Sequence, residues 1–297
     1  MRKIGIVRPK GGYGNQIISL AGGLYLSEQL CDVTYLDESY FFTFIQPVKK
    51  QGFYCPRKIP SLKYFGKLLP ILMSVIVGTI CKSDRLVKLV EVLSLNLVTF
   101  IADNDVTSRK KLTNKRPKIF VFNGYFHALQ EIEQKRRQIT KYIHYGIDEP
   151  SQKLKDYLNI YSNLKVGIHI RRGDYFNSSQ NTGVYHFVDE EYYEAALTKL
   201  KVGKTDGIAV FSDDVVQASK MLNSLGYTQL FTVTDLSDVE EHYLMSQLKS
   251  LILANSTYSW TAAWLGDQNK TIIYPKKWFT DNRRSNELYF PEKWIAL

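Results

Sequence analysis

The stretch KVGIHIRRGDYF, Lys165 to Phe176, runs an apolar alternation straight into two arginines, a glycine and an aspartate. A buried charge without a partner is expensive, so those cations are either matched inside the protein or placed to meet an anion. A strand period of two puts Val166, Ile168 and Ile170 on one face, with His169 and Arg171 on the other. An arginine fork matches a phosphate bidentately, and Asp174 can orient or balance one of the two guanidiniums of Arg171 and Arg172.

Two further loops carry the same kind of chemistry. GIAVFSDD ends an apolar run on Ser212, Asp213 and Asp214. A carboxylate there can accept from a base N–H edge or a ribose hydroxyl, and either aspartate also suits the N-cap of the helix that follows. LILANSTYSWTAAWL ends a strand on Asn255, Ser256 and Thr257, where backbone N–H groups and hydroxyls at a helix start form an anion site. The opening GGYG, with Gly12 and Gly14 ahead of Asn15 and Gln16, is a turn that lets backbone approach a neighbour. It does not complete a dinucleotide fingerprint, because Ile17 stands where the last glycine belongs.

These loops need strands and helices to hold them. KIGIV, the helix NQIISLAGGLYLSEQL and the strand DVTYLD form a strand–loop–helix–strand opening, typical of doubly wound α/β domains. The segment Leu62–Ala102 reads as a mostly helical apolar insert, IFVFNGYF as a strand, and EIEQKRRQITKYIHYG as a charged helix. Pro150 and its capping neighbours mark a junction. Beyond it KVGIHI, GIAVFSDD, QLFTVT, LILANS and KTIIYP alternate with helical patterns. Three chemistry-bearing loops then fall at strand carboxyl ends of one half-chain, where open α/β sheets bind ligands. That pattern favours a nucleoside diphosphate. The expected architecture is two Rossmann-like halves, residues 1–149 and 150–297.

The chain has 297 residues, 44% hydrophobic and 23% charged, an ordinary globular composition. Lys+Arg 39 against Asp+Glu 29 gives a formal charge of +10, which attracts nucleic acid, anionic lipid or phosphorylated small molecules. No zinc-finger spacing, arginine-rich tail or basic–aromatic interleaving accompanies it, so a dedicated nucleic-acid binder is disfavoured. Three scattered cysteines imply free thiols in a reducing compartment. The N-terminal apolar run is too short for a signal peptide, and the expected location is cytoplasmic. The run Leu68–Cys81 is shorter than the roughly 20 residues of a membrane span. Beside the basic charge it admits peripheral contact with the inner face of a membrane.

With these motifs in hand, GGYGNQ, NGYF, HIRRGDY and ANSTYSW resemble the bacterial α-1,2-fucosyltransferases of glycosyltransferase family 11. The likeness covers the second half nearly throughout, and the first half only at its opening loop, YLDES and NGYF. It departs at Thr261, where the family usually has a second tryptophan, and at Ile18-Ser19, where Phe-Gln often follows. The resemblance implies a GT-B-type enzyme of two Rossmann-like domains facing a cleft. The N-terminal domain would be on the acceptor side, and the C-terminal domain would bind GDP-fucose.

The implied reaction moves L-fucose from GDP-fucose, with inversion and no obligatory metal or other cofactor. Its acceptor would be a galactose 2-hydroxyl of a cell-surface glycan such as O-antigen. By the same resemblance Arg171 contacts the diphosphate, with His169, Arg172 and Asp174 shaping the pocket. Asp213 and Asp214 lie near the nucleoside, Ser256 and Thr257 near the phosphates, and Gly12, Gly14, Asn15 and Gln16 face the cleft. Asp37, Glu38, His127 and Asp174 are candidate bases, none of them singled out. Basic charge and the apolar insert point to a lipid-linked acceptor. Three alternatives stand beside this one: a metal-dependent transferase using the carboxylates of Asp103 and Asp105, transfer of another deoxysugar, and a non-catalytic nucleotide or RNA binder.

Overall fold

In the computed structural model the run Ile4–Val7 forms β1, Tyr13–Leu30 α1 and Val33–Leu36 β2. Asp84–Leu93 forms α2, Val98–Ile101 β3, Ile119–Phe122 β4 and Arg136–His144 α3. The structure describes residues 2–37, 76, 80, 83–95, 97–103, 118–127, 129–144, 149–172, 186–280 and 289–297. Asp174, Glu38, Asp105 and most of Leu68–Cys81 lie outside them. The chain divides into two units, Met1–Gly146 and Ile147–Leu297, a few residues ahead of the junction read at Pro150.

The first unit is built on a four-stranded parallel sheet in the order β2-β1-β4-β3. Its inward side chains, Val7, Leu36, Ile101, Phe120 and Phe122, are almost fully buried. Helix α1 is apolar on nearly every side, and thirteen of its residues are buried, as a core helix must be. A Cβ on Gly22 would stand 2.4 Å from Cβ of Phe126, so α1 reaches this depth only with hydrogen at that position.

Three expectations need correction here. Residues 98–101, read as the end of a helical insert, form strand β3 against β4. Helix α2 stops at Leu93, the chain turns through Leu95 with φ at 51°, and the Val98, Thr99, Phe100 run then favours a pleated conformation. The strand IFVFNGYF ends at Phe122, because Phe126 takes a left-handed φ of 58° in the turn that follows. The segment read as one charged helix begins as a 3-10 turn, Gln130–Lys135, before α3.

The second unit comprises α4 (Gln152–Tyr161), β5 (Val166–Ile170), α5 (Glu190–Lys199), β6 (Ile208–Ser212) and α6 (Val215–Ser224). There follow β7 (Leu230–Thr232), α7 (Asp238–Gln247), β8 (Ser250–Ile252), α8 (Thr257–Leu265), β9 (Thr271–Tyr274) and β10 (Ile295–Ala296). Its parallel six-stranded sheet runs β10-β9-β8-β5-β6-β7, adding at β10 an edge strand that the sequence reading did not contain. One face packs Val166, Ile168 and Ile170 against Tyr193, Leu197, Met221 and Leu222. Helices α4 to α8 start on Ser151, Asp189, Asp214, Ser237 and Ser256, each accepting a backbone N–H. Such caps contribute about 1 kcal/mol apiece.

Candidate functional site

Strand order fixes where a ligand can sit. From β5 the chain builds outward through β6 and β7, then crosses to β8 and builds the other way through β9 and β10. The switch point lies between β5 and β8, and ligands of open α/β sheets bind outside the carboxyl ends there. Those two ends carry His169 to Arg172 and Asn255 to Thr257. In the first unit the switch lies between β1 and β4, whose ends carry Arg8 to Gly12 and Asn123 to His127.

At the β5 end the two arginines part company. Arg171 is partly exposed, and its Nε lies 3.9 Å from Asp213 Oδ2, a loose ion pair. Arg172 donates its backbone N–H to Asp213 Oδ1 at 2.7 Å, and its guanidinium reaches Met221 Sδ at 2.7 Å while lying 4.7 Å from the ring centre of Phe187. The balancing carboxylate among the described residues is thus Asp213, reached across the β5–β6 pair. Arg171 stays partly exposed at the strand end. Arg172 is a strut beneath an aromatic ring.

His169 is buried with its ring centre 6.0 Å from that of Tyr258, and its Nδ1 has no hydrogen-bond partner among the described residues. Burial, then Arg171, push its pKa down to about 3, so the imidazole is neutral. Asp214 caps α6 through Gln217 N–H at 3.0 Å and is committed to that helix. Asn255 is turned inward, donating Nδ2 to the carbonyls of His186 and, at 3.2 Å, Trp278. Ser256 caps α8 by accepting from Tyr258 N–H at 3.3 Å, and Thr257 opens that helix half-buried. At these strand ends Arg171, Asp213 and Thr257 are at least partly exposed, and the second end leads into the positive end of α8.

The first unit has its own polar cluster. Gly11 adopts φ of 76° and Gly12 begins α1 without a side-chain cap. Gln16 donates Nε2 to Gly11 O at 3.1 Å, so it braces the turn; Gly14 is buried in the first turn of α1. Asn15 Oδ1 meets His127 Nε2 at 3.3 Å, a contact that needs the proton on Nε2. His127 stacks on Tyr125 at 5.2 Å, and Lys10 Nζ lies 4.7 Å over the Tyr125 ring while donating to Asn123 O at 3.0 Å. Burial drives the pKa of His127 down to about 4. Asp103 accepts the N–H groups of Tyr125 and Phe126, which ties this half of the proposed metal pair into a turn. Asp37 is buried against Arg8 at 3.1 Å.

Sequence reasoning missed Lys10, Tyr125, His186 and Phe187 as neighbours of these loops. NGYFH carried a signal, an aromatic–histidine pair just past a strand; His186 and Phe187 carried none, being far along the chain from RRGD.

The model of the family described as glycosyl transferase family 11 matches residues 88–297. The O-antigen biosynthesis glycosyltransferase WbnK of Escherichia coli is 33% identical over 197 residues, 61% of this chain and 63% of that protein. The alpha-1,2-colitosyltransferase of Escherichia coli is 30% identical over 178 residues, 56% of this chain and 58% of that protein. The chain thus spans about three fifths of the length of these curated relatives. Among solved structures, NodZ alpha-1,6-fucosyltransferase soaked with GDP-fucose superposes with a TM-score of 0.54 over 90% of this chain and 93% of that one, at 14% identity. That likeness concerns the fold, a GT-B-type α/β architecture with parallel sheets in two units. The family model covers well over half of the sequence, including every loop of the second-unit site. The chain belongs to glycosyltransferase family 11.

Proposed function

We propose that the protein transfers L-fucose from GDP-fucose to the 2-hydroxyl of a galactose-terminated glycan, in the synthesis of cell-surface polysaccharide, with inversion at the anomeric carbon. The observation that carries this reading is Arg171, partly exposed at the β5–β8 switch point beside the amino end of α8. The family, a relative named for O-antigen biosynthesis and a similarly folded structure soaked with GDP-fucose support it. In this reading the second unit binds the donor and the first faces the acceptor. Transfer to a lipid-linked acceptor at the inner membrane surface belongs to the same proposal.

The difficult step is breaking the bond between the fucosyl anomeric carbon and the β-phosphate oxygen. Electrons of that bond leave with GDP, and negative charge grows on the diphosphate. A guanidinium held beside that oxygen stabilises the charge where it develops, an effect worth about 10²–10³ in rate for one such donor. The acceptor oxygen bonds to the anomeric carbon from the opposite face, and its proton passes to a base or to solvent. His127 is neutral and could accept a proton at Nδ1, whereas Asp37 is committed to Arg8.

The test is purified protein with GDP-fucose and a panel of glycosides, with and without EDTA. Expected are GDP release, a 2-linked fucosyl product on galactosides only, unchanged rates in chelator, and loss of at least about 100-fold in Arg171→Ala with the fold intact. No product with any acceptor, or an Arg171→Ala enzyme as fast as wild type, would sink the reading. A second reading, transfer of colitose instead, is supported by the relative named alpha-1,2-colitosyltransferase. Competing the two GDP-sugars in one reaction separates them.

A further inference from the structure

We propose that Tyr258 is a positioning residue for the donor site, an inference that rests on the donor-site reading above. It is the second residue of α8, and each of its polar groups is engaged within the second unit. Its N–H donates to Ser256 Oγ at 3.3 Å, its carbonyl accepts from the Thr261 hydroxyl at 3.0 Å, and its own hydroxyl donates to Asp238 O at 2.7 Å. Its ring stands against two buried imidazoles, with centres 6.0 Å from that of His169 and 5.3 Å from that of His242. One residue therefore joins the end of β5, the start of α7 and the start of α8.

A second contact turns this joint into a ladder. Thr261 Oγ1 lies 2.8 Å from Thr257 O as well as 3.0 Å from Tyr258 O, so its single proton points back into the first turn of α8. Its oxygen is then the acceptor for His242, 3.0 Å away, and the imidazole proton sits on Nε2. Asp238 and His242 are neighbours one turn apart on α7, as Tyr258 and Thr261 are on α8. Two rungs, Asp238 to Tyr258 and His242 to Thr261, fix both the register and the rotation of α8 against α7. Helix α7 is itself held, because Glu240 completes the capping box with Ser237 and accepts the Ser151 N–H at 2.9 Å.

The consequence falls on Ser256 and Thr257, which immediately precede Tyr258. The amino end of α8 takes its direction from the two rungs. Fixed dipoles stabilise a developing charge when they are aimed beforehand, and a misplacement of about 1 Å costs up to 10²-fold in rate. The Tyr258 hydroxyl is bound to Asp238, so this residue acts through its neighbours.

The experiment is steady-state transfer by wild type, Tyr258→Phe, His242→Gln and His242→Leu, with GDP binding and thermal midpoints measured by calorimetry. Tyr258→Phe keeps the ring and removes only the rung to Asp238, whose carbonyl still meets the helical amide four residues on. Expected is a fall in kcat of about 10- to 100-fold with the acceptor KM unchanged. His242→Gln presents an N–H where Nε2 stood and should keep most of the rate, whereas His242→Leu should lose it as Tyr258→Phe does. A Tyr258→Phe enzyme with the wild-type kcat overturns the proposal, and so does a His242→Gln enzyme as slow as His242→Leu. So does a loss of rate that merely tracks the loss of folded protein at the assay temperature. If wild type neither binds GDP nor transfers, the donor-site reading fails and takes this inference with it. If wild type does both and the variants match it, the positioning role alone is wrong.

Discussion

Two histidines of the candidate sites, one a pocket residue and one a candidate base, are both neutral in the fold, and for the same cause. His169 and His127 are desolvated, which lowers their pKa values to about 3 and about 4 from 6.5. The sign follows from proton counting. As pH falls below 6.5 the unfolded chain takes up protons that these rings refuse until about 4 and 3, so stability is lost in that window. Glu241 works against them, because burial raises its pKa to about 7 from 4.5, so it holds a proton that the unfolded chain releases as pH rises from 4.5 to 7. Two histidines outweigh one glutamate between about 4.5 and 6.5. The net of one proton should cost roughly 1.4 kcal/mol per pH unit of acidification there. Denaturant midpoints measured from pH 7 to 4.5 check this; a flat profile would show that the imidazoles are not desolvated.

At the scale of elements, the depth of α1 against the β4 turn is what brings Asn15 to His127. Gly22 sets that depth, with Phe126 occupying the space a methyl would need. Gly22→Ala should destabilise by about 1–3 kcal/mol through overpacking. In a unit of this size the thermal midpoint falls by about 2–4 °C for each of those kcal/mol. Calorimetry that found no shift would mean the helix can slide away without loss.

The elements also show how far pattern reading reaches. Parallel strands β5, β6, β8 and β9 were legible as apolar runs of strand length broken by Arg171, Asp213, Asn255 and Pro275. Strand β3 was not, because Leu97 and Val98 continue the apolar spacing of α2, and the break at Leu95 is a backbone conformation without a sequence mark. The place of Arg171 at the carboxyl end of β5 was legible. The inward turn of Asn255 was not, since its partners, the carbonyls of His186 and Trp278, come from distant loops.

The whole molecule carries a formal charge of +10, and the described part of the first unit has an apolar surface to go with it. On α2 Leu89, Val92 and Leu93 are 51%, 65% and 72% exposed, following exposed Arg85 and Lys88, while Glu91 is buried. Among the described residues no helix is long and apolar enough to cross a membrane. The apolar run Leu68–Cys81 lies largely outside them, so α2 is the segment on which the proposed membrane contact can be tested. Each lysine or arginine near an anionic surface contributes about 1 kcal/mol. The protein should cosediment with phosphatidylglycerol vesicles at low salt and not with neutral ones, and Leu89→Asp with Leu93→Asp should abolish it. Equal pelleting of that variant would remove α2 from the proposal.

The core beneath α8 holds a polar couple. Thr261 sits in the middle of that helix. Its hydroxyl meets His242 Nε2 at 3.0 Å, with both residues wholly buried. Tryptophan at 261 would take that hydroxyl away from an imidazole that water cannot reach, at a cost of about 1–3 kcal/mol. A change at either position is therefore felt at the other.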